Sequence, residues 1–244
     1  MTYTDLHIHS LVSDGSMTPE EIAAYAKKRG LSAFALTDHD NIAGDAAAEK
    51  AARELGLGFV PGMELSAQFQ GHKIHIVCLG FDAAHPAFQS LYRKVRAAKE
   101  AKIPEIVDYI RDKGIDITMD DVRAHAYGVP DRYAIMRCLV ALHLYDHAQP
   151  LWDNYLDPAV HLLGLDAIVS PAEALPAIHA AGGITSLAHF HKRIGLKGET
   201  RERQAELGAQ VARGRVMQQR HEHPLEVRVR RERQLLGELR RRAL

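Results

Sequence analysis

The chain has 244 residues, with 31 Lys+Arg against 31 Asp+Glu and 46% hydrophobic residues, a globular composition long enough for one large α/β domain or one domain with an insertion. It has no run of about 18 apolar residues and no charged-then-apolar leader, so neither a membrane span nor a signal peptide is expected. Cys78 and Cys138 are too few for a disulfide framework and fit a reduced, cytoplasmic setting. The zero balance conceals two halves: residues 190–244 carry 15 Lys+Arg against 7 Glu, which leaves 16 basic and 24 acidic residues in positions 1–189. An acidic body suits cations, and a basic tail suits phosphates or RNA.

Tyr3–Ile8 reads as a first strand, running into Asp5-Leu6-His7-Ile8-His9-Ser10 and then Ser13-Asp14-Gly15. Side chains two apart on a strand share a face, so His7 and His9 project together and offer two neutral imidazoles to one ion. Thr18-Pro19-Glu20-Glu21 opens a helix with Thr18 at the N-cap, Pro19 at N1 and Glu21 closing a capping box; Ile22, Tyr25 and Ala26 form its inner stripe and Gly30 stops it. Ala33–Thr37 is the next strand, with Asp38-His39-Asp40 at its exit. Asp45–Leu55 is a second helix. Phe59-Val60 leads into Pro61-Gly62-Met63-Glu64, and Gly71-His72 turns into the strand Lys73–Gly80, which carries His75.

Strand, polar exit and helix repeated in this way argue for an α/β barrel or wound sheet, whose chemistry gathers at the C-terminal strand ends. From about Pro86 to Leu165 the rhythm becomes helix upon helix. Phe88–Lys113 is one long amphipathic pattern broken by Pro104, and Met119–His125 and Tyr133–His147 follow. Ser170-Pro171-Ala172-Glu173 starts a further helix, Gly182-Gly183 ends it, and Ile184–Ala188 returns as a strand with His189 at its exit. His7, His9, Asp14, His39, Glu64, His75 and His189 are thus ligand-type residues near strand ends. An N/O set without cysteine favours Mn, Zn or Fe over an iron–sulfur cluster.

The motifs D-L-H-I-H-S at 5–10, S-D-G at 13–15, T-D-H-D at 37–40, P-G-M-E-L-S at 61–66, H-I-V at 75–77 and L-A-H at 187–189 together resemble the PHP (polymerase and histidinol phosphatase) family of metallophosphoesterases. The T-P-E-E helix start and the helical insertion resemble the branch of 3′,5′-nucleotide bisphosphate phosphatases and 5′–3′ exoribonucleases. The resemblance implies a distorted (β/α)7 barrel over 1–85 and 166–189, with a substrate-capping helical insertion at 86–165. It also implies two or three divalent ions, manganese foremost with iron or zinc as alternatives. By position, His7, His9 and Glu64 hold one ion, Glu64, His75 and His189 a second with Glu64 bridging, and Asp14 and His39 contribute to a third. Paired ions of this kind activate a hydroxide and stabilise phosphoryl oxygens, with Asp14 or His39 assisting proton transfer.

Asp38 and Asp40 are expected either to orient a ligand histidine or to hold a turn. For phosphate recognition the branch carries Arg-Glu-x-Arg on its long helix, where this chain has Lys99-Glu100-Ala101-Lys102; Arg132 matches a further family arginine. After His189 the likeness stops. The usual Ala-His-Pro becomes Ala188-His189-Phe190, the family's final Asp-x-His is missing, and residues 190–244 contain no Asp. A basic tail of this composition is what a shifted reading frame in an arginine-rich coding sequence would give, and His221-Glu222-His223 is a weak substitute for the lost ligands.

The reading is therefore a phosphohydrolase that removes the 3′-phosphate of nucleoside 3′,5′-bisphosphates or trims short RNA from its 5′ end. It takes a nucleotide substrate, requires no membrane and needs no obligate protein partner. A histidinol-phosphate-type phosphatase and an inactive metal- or RNA-binding remnant are the alternatives.

Overall fold

The computed structural model describes residues 3–69, 72–163 and 169–189, with Glu202, Glu206 and Ala209. The rest of the basic segment 190–244, including His221 and His223, lies outside the described residues.

Strands β1 (Tyr3–Ile8), β2 (Leu31–Leu36) and β3 (Gly58–Val60) pair in parallel in the order β1-β2-β3. Helices α1 (Pro19–Lys28) and α2 (Asp45–Glu54) make the crossovers. The Thr18 capping box forms as expected, with Pro19 in the first turn, so the start of α1 is fixed by its own side chains. Along β2 the pleat sends Phe34 and Leu36 towards Ile22, Ala26, Ala48 and Ala52 on the two helices, while Ala35 turns the other way towards Val60, Val77, Leu79 and Ala188.

The second sheet departs from the expected alternation of strand and helix. Strands β4 (Gly62–Phe69), β5 (His72–Leu79) and β6 (Ile184–Leu187) are antiparallel, and β4 turns directly into β5 without a helix. Its apolar face, with Met63, Leu65, Ile74, Ile76 and Cys78, is covered by α3 (Pro86–Glu100) and α9 (Pro171–Ala180) through Phe88, Leu91, Val95, Leu175 and Ile178. A closed barrel is not seen among the described residues. The two sheets meet at a parallel bridge between His39 and Glu64, where the Glu64 N–H faces the carbonyls of Thr37 and Asp38 and the Asp40 N–H donates to the Glu64 carbonyl at 3.0 Å.

The long amphipathic pattern divides where Pro104 predicted, α3 ending at Glu100 and α4 (Ile103–Asp112) taking the proline into its first turn. Helices α5 (Met119–Ala124), α6 (Arg132–Ala141), α7 (Gln149–Leu151), a π-helical stretch at Trp152–Leu156 and α8 (Asp157–Leu163) follow. They share a core of their own built on Ile106, Ile110, Ile117, Ile135, Leu139 and Leu156. Helix α6 stops at Ala141, short of the expected His147, and His143 adopts a positive φ of 53°.

Gly62 shows how tightly the two sheets approach. A Cβ there would lie 2.1 Å from the Leu36 carbonyl oxygen, backbone that cannot swing aside. Gly62→Ala is expected to cost about 1–3 kcal/mol through overpacking, read as a lower urea midpoint with unchanged m-value.

Candidate metal centre

Glu64 lies at the junction of the sheets with 1% of its side chain exposed. Its Oε2 is 3.0 Å from Nε2 of His7 and 3.0 Å from Nε2 of His9, and those two nitrogens are 3.1 Å apart. Its Oε1 is 3.1 Å from Nδ1 of His75 and 2.7 Å from Nε2 of His189. Nδ1 of His39 stands 3.6 Å from Oε2. The end of β1 supplies His7 and His9, the exit of β2 supplies His39, β5 supplies His75, and His189 follows β6 with a positive φ of 24°.

Asp14, on the turn after β1, places Oδ1 3.0 Å from Nδ1 of His9 and Oδ2 3.5 Å from Nε2 of His39. The sequence-predicted ligands are therefore brought together, with His9 and His39 each facing both carboxylates. One ring nitrogen of His9 points to Glu64 and the other to Asp14. An Nδ1–H donated to Asp14 leaves the Nε2 lone pair free for an ion, the usual division of labour in a ligating imidazole.

The donor set fits divalent cations. His7, His9 and Glu64, then His9, Asp14 and His39, then His39, Glu64 and His75 each offer ligand atoms within 4.8 Å of one another. The His7–His9–Glu64 triangle, with edges of 3.0, 3.0 and 3.1 Å, matches adjacent positions around a six-coordinate ion with bonds of about 2.1 Å. Nε2 of His75 is buried and has no hydrogen-bond partner among the described residues.

The electrostatics agree. Burial alone would raise the Glu64 carboxyl, but hydrogen bonds from His7, His75 and His9 outweigh it and hold the group well below the ordinary carboxylate range. Asp14 is likewise held low against burial, by His39 and His9. Burial would lower His9, yet Asp14 and Glu64 push it up to about 9. Burial dominates at His75, which falls to about 4 and so is a neutral imidazole at pH 7.

Among the described residues, the carboxylates flanking His39 take their hydrogen bonds from neighbouring segments: Asp38 from the turn after β1, Asp40 from β4 and α3. Asp38 accepts from the Ser10 N–H at 2.7 Å, the Ser10 hydroxyl at 2.6 Å and the Ser13 hydroxyl at 2.6 Å. Asp40 accepts from the N–H and hydroxyl of Ser66 at 2.6 and 2.7 Å and forms an ion pair with Lys99. Burial opposes ionisation of Asp40, but the Lys99 charge and the Ser66 bonds keep it well below the usual range.

The three cations expected at phosphate have separate settings. Lys99 is committed to buried Asp40, tying α3 to the exit of β2. Lys102 has 39% of its side chain exposed and pairs only with Glu105, at 3.1 Å, among the described residues. Arg132 lies over the Trp152 ring at 5.5 Å and 3.9 Å from Asp157. Sequence reading missed Tyr133, whose ring stacks on His39 with centroids 5.9 Å apart and planes 9° apart. It also missed Arg137, which reaches the turn that bears Asp14. Their helical i, i+4 spacing was the available signal.

The PHP domain family matches residues 5–119. The chain is 36% identical over 185 residues to a 5′-3′ exoribonuclease of Haemophilus influenzae, a match covering 76% of this chain and 68% of that protein. It is 31% identical over 194 residues to a 3′,5′-nucleoside bisphosphate phosphatase of Chromobacterium violaceum, covering 78% of this chain and 67% of that one. A solved structure from Bifidobacterium adolescentis, described as a candidate metal-dependent phosphoesterase, aligns with a TM-score of 0.72 at 25% identity, over 86% of this chain and 74% of that one.

Two predictions follow from the local electrostatics. Because His9 gains its proton's partners on folding, its contribution to the metal-free protein is full below pH 6.5 and fades as pH rises through about 9. Glu64 and Asp14 work in the opposite sense, their contribution being lost as pH falls. Ligating imidazoles must be deprotonated, so the Tm gain on adding Mn²⁺ over an EDTA control should grow between pH 6.5 and 9; a gain that shrinks would contradict the assignment. Lys99→Met, which strands a buried carboxylate, should cost about 3–5 kcal/mol in urea denaturation.

Proposed function

We propose, for a chain that belongs to the PHP domain family of metal-dependent phosphoesterases, removal of the 3′-phosphate from nucleoside 3′,5′-bisphosphates. The observation that carries this reading is the Glu64-centred set of imidazoles, with one carboxylate oxygen serving His7 and His9 and the other serving His75 and His189. The similarity to a relative named as a bisphosphate phosphatase gives it its substrate class.

His7, His9 and Glu64 would hold one ion, Glu64, His75 and His189 a second, and Asp14 with His39 part of a third. Divalent ions bound there, manganese by preference, supply positive charge to the phosphoryl oxygens and lower the pKa of water. The remaining work belongs to the chain. Asp14, with 44% of its side chain exposed, would accept the hydrogen bond of His9 Nδ1–H and so fix the tautomer that leaves Nε2 free for an ion. His39, pressed between Asp14 and Glu64, keeps its ring facing both carboxylates.

Lys102 and Arg132 are assigned to the second phosphate. Partly exposed Lys102 has an ammonium free to leave Glu105, and Arg132 offers a fork of donors. The Asp40 pairing of Lys99 supports a structural role instead. The buried, free Cys78 and Cys138 suit a reducing cytoplasm, and no described helix is long and apolar enough to cross a membrane. Trimming of short RNA from its 5′ end is a second reading, favoured by the similarity to the Haemophilus exoribonuclease.

Phosphate release from adenosine 3′,5′-bisphosphate with added Mn²⁺ tests the proposal. Loss of the partners of a ligand costs about 10- to 100-fold, so loss of a ligand in His9→Ala should lower turnover by at least about 100-fold. Turnover equal in the two proteins, or undiminished by EDTA, would overturn it. Lys102→Ala should raise KM for the bisphosphate with little change for a nucleoside 3′-monophosphate.

A further inference from the structure

The turn between β1 and α1 is held from two sides. From beneath, Asp38 takes the hydroxyls of Ser10 and Ser13. From above, Arg137 on α6 donates through Nη1 to the carbonyls of Leu11 at 2.9 Å and Ser13 at 3.2 Å, while its Nε–H donates to the His125 carbonyl at 2.9 Å. Nη2 of Arg137 is buried and has no partner among the described residues, so the guanidinium is spent on carbonyls and engages no acidic oxygen at hydrogen-bond distance. One helical turn earlier on the same face, Tyr133 stacks on His39 and is itself backed edge-on by Trp152, 5.4 Å away. Desolvation and the Asp14 charge push the Tyr133 phenol well above its ordinary range, so it serves as a neutral slab.

These contacts converge on two residues. Asp14 follows Ser13 directly, and Asp14 and His39 face each other across 3.5 Å. The rest of the site is mounted differently: His7, Glu64 and His75 lie on β1, β4 and β5, and His189 follows β6.

We propose that Tyr133 and Arg137 are positioning residues for the Asp14–His39 half of the centre, so that ion binding at that half depends on the helical insertion while binding around Glu64 does not. The inference rests on the metal-site reading above and goes beyond it. It makes the insertion a determinant of how many ions the site holds, in addition to any contact with substrate. Anything that shifts α6 would then change the occupancy of one ion selectively.

The experiment is titration of the 244-residue chain with MnCl₂, following free Mn²⁺ by electron paramagnetic resonance, so that binding is read without turnover. Arg137→Ala and Tyr133→Ala should each weaken one class of Mn²⁺ site about 10- to 100-fold, the usual effect of removing a ligand's support, and leave the remaining class unchanged. Tyr133→Phe, which keeps the stacking ring, should restore the weakened class. Arg137→Lys, a point charge in place of a fork, should restore it in part. Glu64→Gln provides the contrast and should weaken the class of site that Arg137→Ala and Tyr133→Ala leave unchanged. No change in any class for Arg137→Ala and Tyr133→Ala, or an equal loss in all classes with a lowered Tm, would overturn the proposal. A wild-type chain that binds no Mn²⁺ would instead overturn the metal reading from which it starts.

Discussion

One buried carboxylate sets the terms for the rest of this molecule. Glu64 has 1% of its side chain exposed and is nevertheless held ionised, a state that costs several kcal/mol of desolvation unless charge and hydrogen bonds repay it. His7 and His9 on one oxygen, and His75 and His189 on the other, provide that compensation. Those histidines come from both sheets, His7 and His9 from the end of β1, His75 from the middle of β5 and His189 from just after β6, so the sheets must be brought edge to edge at this point. The His39–Glu64 bridge does this, and the missing side chain at Gly62 allows it.

Around this centre lies a second set of carboxylates with a different task. The exit of β2 reads Asp38-His39-Asp40, and the two acids secure neighbouring segments: Asp38 the turn after β1, Asp40 the strand at Ser66 and the helix at Lys99. The histidine between them is left to face the centre. Its ring is steadied by Tyr133, so its position depends on parts of the chain nearly a hundred residues away. A buried acid with three donors is satisfied; the same acid with one donor removed becomes a liability.

Much of this could be read from the sequence because it is local. The His7/His9 pair follows from strand pleat, the Thr18 box from capping chemistry, and the break at Pro104 from the missing N–H. The convergence of His39 and His189 was indicated by their placement at strand exits, whereas Glu64 lies near the start of β4 and His75 in the middle of β5. The direct turn of β4 into β5 was hidden because an alternating apolar run fits parallel and antiparallel pairing alike. The pairing of Lys99 with Asp40 was not legible from its sequence neighbours, since Asp40 lies 59 positions earlier. Arg137 escaped notice for the same reason, its acceptors Leu11 and Ser13 lying on the far side of two sheets' worth of chain.

The spacing of the ligands along the chain also sets an order of assembly. His7, His9, Asp14, His39, Glu64 and His75 all fall within the first 75 residues, while His189 meets Glu64 across a separation of 125. A ribosome emits an N-terminal segment well before the segments it will pack against, and long-range contacts form slowly. The nascent chain thus presents most of a cation trap before the helical insertion exists. A metal captured at that stage would bias the two sheets towards their correct juxtaposition and leave His189, after the insertion and β6 have been made, to close the last side.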